Sequence, residues 1–162
     1  MTAGAGAKTA KKKLNIIFVC TGNTCRSPMA EFLFKQYLKD KKRASDFSVS
    51  SAGLYAERGG QLNENADKAL ELLNVPHTLR KSKPFTVQMS LDGDLIVCMT
   101  REHARLCESD GAISYDALTG REVPDPFGGT LAEYLDCAAQ IRSGFDELLR
   151  RADALLALKK SG

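Results

Sequence analysis

The chain has 162 residues, 43% hydrophobic and 27% charged, a size and composition that suit one domain with a buried core. Its formal net charge of +3 arises in the leading segment, where Lys8, Lys11, Lys12 and Lys13 precede any acid. Without those four of the 23 basic residues, 19 face 20 acidic ones, so no nucleic-acid footprint is present.

Residues 1–13, rich in Gly, Ala and Lys, read as a disordered basic lead. A signal peptide needs an apolar core of ~7–15 residues after its charges, and none precedes Leu14. No span reaches the ~20 apolar residues that cross a bilayer, so no membrane partner is expected. Five cysteines, an odd count, favour a reducing, cytoplasmic setting.

The run Leu14-Asn15-Ile16-Ile17-Phe18-Val19 is short, apolar and β-branched, which predicts a strand ending at Cys20. Ser27-Pro28 opens a helical pattern over 28–42, with Ser27 as N-cap and Pro28 at the first helical position. Residues 21–26 are therefore a tight loop. Further strands are expected at 47–51, 93–99 and about 112–116, and helices at 64–74, 101–109 and 130–157. Strand and helix alternate, which predicts a single α/β domain over 14–158. A parallel four-stranded sheet carries helices on both faces, a flavodoxin-like three-layer sandwich. Residues 159–162 read as a flexible tail, and Leu148, Leu149, Leu155, Leu156 and Leu158 as the packing stripe of the last helix.

Chemistry concentrates at Cys20-Thr21-Gly22-Asn23-Thr24-Cys25-Arg26-Ser27. Backbone N–H groups of a strand-to-helix loop can cradle an anion, helped by the positive end of the helix dipole. Gly22 lets the loop close without a Cβ. The same N–H groups and Arg26 favour the thiolate form of Cys20. A guanidinium offers a planar fork that matches two phosphoryl oxygens. Cys20 is thus the candidate nucleophile and Arg26 the phosphate clamp and transition-state stabiliser. The plain alternative, a buried cysteine at a strand end, leaves the surrounding Gly22, Asn23, Arg26, Ser27 and Pro28 unaccounted for. Cys20 and Cys25 are wrongly spaced for a zinc knuckle, and His77 and His103 are remote in sequence, so no metal is expected. No cofactor is expected either.

This segment resembles the signature CxxGNxCRSP of the low-molecular-weight phosphotyrosine phosphatase family. Ser51-Ala52-Gly53, Leu95 to Thr100, and Val123-Pro124-Asp125-Pro126-Phe127-Gly128 match family landmarks in order, so the resemblance spans about residues 14–156. It implies a cysteine-dependent protein phosphatase with a phosphocysteine intermediate, acting on phosphorylated proteins and releasing inorganic phosphate, as a monomer. It assigns Asp125 as the general acid for the leaving group and then the base for water. Pro124 and Pro126 fix φ on either side of it. It gives Asn23, Ser27 and Ser51 a role in holding the loop and assisting the thiolate, and makes Thr21, Gly22, Asn23, Thr24, Cys25, Ser27 and Phe127 the substrate-binding residues. Many members carry a histidine near Thr78-Leu79-Arg80 that buttresses the loop asparagine. Either His77 shifts into that place here or the buttress is built differently.

Thr24 bears on substrate choice. Tyrosine-directed members have a bulky aliphatic residue there and a second aromatic after Asp-Pro. Thr24 with Phe127-Gly128-Gly129 resembles the bacterial protein-arginine phosphatases. The stretch Ala56 to Gln61 also lacks a rim aromatic. A threonine hydroxyl accepts a hydrogen bond from a guanidinium, whereas an aliphatic wall leaves that donor unpaired at a cost of ~1–3 kcal/mol. Phosphoarginine is therefore the expected substrate, with phosphotyrosine as the alternative. Cys25 beside Cys20 allows a reversible disulfide. Cys98, Cys107 and Cys137 read as structural or incidental. Arsenate reductases share the loop and use further cysteines, but the eight-residue gap between Cys98 and Cys107 does not resemble that relay, and Asp125 has no part in it. A catalytically silent phosphate-binding module is the third possibility.

Overall fold

The structure, a computed structural model, describes residues 12–162. Most of the basic lead expected over 1–13 lies outside the described residues. In chain order the elements are β1 (Leu14–Cys20), α1 (Arg26–Asp40), β2 (Phe47–Gly53), α2 (Glu64–Leu72), α3 (Val87–Asp92), β3 (Leu95–Cys98), α4 (Arg101–Cys107), β4 (Ala112–Ser114), α5 (Asp116–Thr119), α6 (Leu131–Arg142) and α7 (Phe145–Ser161). The four strands form one parallel sheet in the order β2-β1-β3-β4.

β1 is central. Leu14 to Cys20 pair with Phe47 to Gly53 on one side, and Ile16 to Val19 with Leu95 to Cys98 on the other. A parallel strand covered on both faces needs apolar residues at successive positions, which explains the nearly unbroken run from Leu14 to Val19. Its side chains still alternate between two core layers. Leu14, Ile16, Phe18 and Cys20 enter the larger layer with residues of α1, α2, α6 and α7, while Ile17 and Val19 enter the smaller one with Met89 of α3 and Ala104 and Cys107 of α4. This is the three-layer flavodoxin-like arrangement that the alternating pattern predicts.

Several boundaries differ from the sequence-based expectation. α1 begins at Arg26, with Cys25 rather than Ser27 at the N-cap position and no side-chain cap. Ser27 therefore sits within the first turn, and its hydroxyl is used elsewhere. The helix expected over 130–157 is two helices, α6 and α7, divided at Ser143-Gly144. The cause is Tyr115, a fully buried ring whose hydroxyl donates to the carbonyl of Ile141. A Cβ on Gly144 would lie 2.9 Å from Tyr115 Cε2 and 3.1 Å from Thr119 Cγ2, so the chain turns where it has no side chain.

α3 and α5 are too short to leave a periodic signal. At the far end, α7 continues through Ser161, beyond the tail boundary expected at 158. Lys159 Nζ donates to Lys13 O at 2.6 Å and to Asp94 Oδ2 at 2.8 Å. Of the leucine stripe, Leu148 and Leu156 are buried and Leu149 and Leu155 pack against the core, but Leu158 is exposed.

Candidate active site

β1 delivers Cys20 at the carboxyl end of the sheet, the edge where open α/β sheets bind ligands. The loop then turns through Asn23, whose φ of 56° is left-handed, a conformation asparagine tolerates better than most residues. Gly22 is not the tight point: a Cβ there would meet only Thr24 Oγ1, at 3.7 Å. The close approach belongs to Gly53 at the end of β2. A Cβ on Gly53 would stand 2.5 Å from Thr21 O and 2.8 Å from Asn23 N, so the loop rests on a bare backbone.

Cys20 is 2% exposed, and its Sγ lies 2.9 Å from Ser27 Oγ. Asn23 Nδ2 donates to Ser27 Oγ at 2.8 Å and to Ser51 Oγ at 3.0 Å. Asn23 fills an acceptor position on Ser27, and the serine O–H has two acceptors within reach, Ala52 O at 3.3 Å and the nearer Cys20 sulfur, towards which it can turn when the sulfur is an anion. Ser51 in turn donates to Glu31 Oε1 at 2.7 Å. Arg80 closes this network: its Nη1 donates to Glu31 Oε1 at 2.8 Å and to Ser51 Oγ, and its Nη2 reaches Asn23 Oδ1 at 3.5 Å. Lys83 N also donates to Asn23 Oδ1, at 3.0 Å. The segment is carried there by Gly53, which bonds Lys83 O and Phe85 N. His77 does not shift into the buttress position. Its Nε2 meets Asp67 Oδ1 at 2.6 Å and its Nδ1 lies 2.8 Å from Val75 O. Burial opposes its charge, but Val75, Asp67 and Glu71 raise its pKa above the ordinary value.

Arg26 is 5% exposed and held from two sides. Nη1 donates to Val123 O at 3.0 Å, and Nη2 to Thr21 Oγ1 at 3.4 Å. Thr21 Oγ1 also lies 2.9 Å from His103 Nε2. His103 is buried on α4, and burial together with the neighbouring Arg26 charge pushes its pKa down to about 4. It is therefore a neutral ring at pH 7, which adds no second cation beside Arg26. Asp125 faces the same guanidinium, Oδ2 to Nη2 3.7 Å, with half of its side chain exposed. Its Oδ1 accepts from Phe127 N at 3.1 Å, which ties the carboxylate to the Pro-Asp-Pro turn.

Cys20, Thr21, Gly22, Thr24, Cys25, Arg26, Asp125 and Phe127 line one cleft of about 220 Å³. It thus brings together a buried thiol, a fixed guanidinium and a carboxyl group that arrives from 99 residues further on. Thr24 is half-buried in its wall and Phe127 is 71% exposed at its rim.

A family model described as low molecular weight phosphotyrosine protein phosphatase matches residues 15–161. The chain belongs to this family. It is 36% identical to a protein-arginine-phosphatase of Bacillus subtilis over 149 residues, 85% of this chain and 93% of that protein. It is 33% identical to low molecular weight protein-tyrosine phosphatase A of Mycobacterium tuberculosis over 156 residues, 89% and 94% of the two chains. The crystal structure of a YwlE mutant from Bacillus subtilis superposes with a TM-score of 0.80 at 31% identity, covering 87% of this chain and 99% of that one. The chain is accordingly a protein phosphatase, a hydrolase of phosphorylated proteins.

In this phosphatase the residues of the signature loop fall together, as does Asp125. Ser51 reaches Asn23 and not Cys20 itself. No local pattern marks Arg80 or His103 as part of the site, because their partners lie 57 and 82 residues away. The histidine missing near Leu79 was the available clue to Arg80. Cys98 and Cys107, read as structural or incidental, meet at a distance of 3.6 Å between sulfurs.

Proposed function

We propose that this phosphatase removes the phosphoryl group from phosphoarginine in proteins. The Cys20 thiolate attacks phosphorus while the loop N–H groups and Arg26 hold the phosphoryl oxygens. Asp125 protonates the departing guanidine nitrogen as the P–N bond breaks. Arginine's conjugate acid has a pKa of roughly 12.5–13.8, so the departing guanidine nitrogen is strongly basic and leaves far more readily when a proton reaches it as the bond breaks. Asp125 then takes a proton from water, which attacks the phosphocysteine and frees inorganic phosphate. The observation that carries this reading is the cleft that Cys20, Arg26 and Asp125 line together, with Asp125 3.7 Å from Arg26 and Thr24 in its wall. A hydroxyl there can accept from the guanidinium of a phosphoarginine side chain, whereas a phenyl ring gives it nothing to bind.

The test is kcat/KM for phosphoarginine and phosphotyrosine in matched peptides, with wild type and Thr24→Ile. Wild type is expected to prefer phosphoarginine, and the isoleucine to erode that preference by roughly 10-fold or more, the effect of an unpaired polar group. Strong wild-type preference for phosphotyrosine overturns the arginine reading and leaves the hydrolase intact. Cys20→Ser should end turnover of both. We also infer that Cys20 and Cys25 close to a reversible disulfide. Peroxide inactivation should then be reversed by dithiothreitol in wild type and become irreversible in Cys25→Ser.

A further inference from the structure

Away from the cleft, β3 ends at Cys98 and α4 ends at Cys107, and their sulfurs touch. The separation is 3.6 Å, with the two residues 0% and 5% exposed. Around them lie Ile17, Val19 and Ile96, with Met89 and Ala104 packed alongside, so their surroundings are apolar. The contact is nevertheless polarised. The hydrogen bond with Cys98 pulls the Cys107 thiol below its ordinary pKa against the effect of burial, and the same bond, with burial, pushes Cys98 up. Cys107, at the end of its helix and 5% exposed against 0% for Cys98, is the partner nearer to solvent and the one an oxidant reaches first.

The geometry also allows closure. An S–S bond is about 2.05 Å long, so the pair must close by roughly 1.5 Å. α4 stops directly after Cys107 at Glu108, whose φ of 49° is an unusual left-handed value for a side chain of its size. The turn through Ser109, Asp110 and Gly111 follows before β4. The sulfur to be moved therefore sits on the last turn of a seven-residue helix rather than in mid-strand.

We propose that Cys98 and Cys107 are an oxidisable dithiol, a modification site separate from the Cys20 loop, which reacts with hydroperoxides and closes to an intramolecular disulfide. The Cys107 thiolate attacks one peroxide oxygen. The O–O bond breaks, the other oxygen leaves and is protonated to water or an alcohol, and Cys107 becomes a sulfenic acid. Cys98 sulfur then attacks the Cys107 sulfur and expels hydroxide, which takes the Cys98 proton and departs as water. The two thiols lose two electrons and the peroxide gains them. No bond to Cys20 forms, so the site does not depend on which phosphorylated residue is hydrolysed.

The test uses full-length Cys20→Ser/Cys25→Ser protein, in which Cys98, Cys107 and Cys137 are the thiols that remain. Treatment with hydrogen peroxide should lower the intact mass by about 2 Da, the two hydrogens lost in a disulfide. A peptide map should contain Cys98 linked to Cys107, and dithiothreitol should restore both the mass and the thiol titre. Adding Cys107→Ser should abolish the mass loss. The same linked peptide is sought in peroxide-treated wild type, so a folding defect in the double variant does not decide the outcome. The proposal is overturned by an unchanged mass, by stepwise gains of oxygen without a linked peptide, or by a link to Cys137.

Discussion

A guanidinium keeps its charge at every pH where this protein is folded, whereas an imidazole loses its charge near neutrality. Arg80 sits where its charge polarises Ser51 and Asn23, and through them Ser27 and Cys20. Arg80→His should therefore keep a larger share of the wild-type activity at pH 5.5 than at pH 7.5, the mutant-to-wild-type ratio of kcat/KM falling as pH rises through about 6.5, on top of the limb that the general acid gives both proteins. Arg80→Met should lower kcat/KM on the order of 10-fold at all pH values, since Glu31 is then left buried with Lys35 as its remaining cation. Profiles of kcat/KM against pH for the three proteins distinguish this from a purely structural loss. Residues that act together across a short loop, such as Cys20, Asn23 and Arg26, are readable from sequence because their spacing fixes their geometry. Asp125 was legible only through family resemblance, since Pro-Asp-Pro alone is an ordinary rigid turn. Arg80 and His103 depend on pairings that only the fold creates.

Two glycines shape the elements more than local pattern suggests. Gly53 supports the Cys20 loop by having no side chain, so Gly53→Ala must push Thr21 O or Asn23 N outward. We expect a loss of about 1–3 kcal/mol in urea unfolding and weaker competitive inhibition by inorganic phosphate, because the N–H cradle is displaced. Gly144→Ala should cost a similar amount, about 1–3 kcal/mol, through the Tyr115 ring but leave phosphate inhibition unchanged. The contrast separates a strut of the cleft from a strut of the core. Strand positions were legible because buried parallel strands are apolar and continuous, as in Leu14 to Val19. The division between α6 and α7 was not, because helical periodicity runs through Ser143-Gly144 and the interruption is imposed by Tyr115, from a different part of the chain. Ser27 likewise looks like a cap, and its hydroxyl is instead placed between the Cys20 sulfur, Asn23 and the Ala52 carbonyl.

At the scale of the whole molecule, two histidines set opposite pH slopes. His103 has a folded pKa of about 4 against an ordinary 6.5, so the unfolded chain binds its proton first and stability falls as pH drops from about 6.5 to about 4. His77 is shifted the other way, so its contribution is complete below pH 6.5 and is lost as pH rises through its raised value. Between them they place a stability maximum near pH 6.5. Urea midpoints measured from pH 4.5 to 8 should show it, with His103→Asn flattening the acid side and His77→Asn the alkaline side.

Lys159 ties the last helix to the backbone just before β1, at the edge of the sheet away from Cys20. Both ends of the described chain consequently emerge on the pole opposite the cleft. An affinity handle, fluorophore or surface tether attached after Ser161 would hold the molecule with that cleft turned outward, so immobilised protein should accept large phosphorylated substrates as readily as protein free in solution.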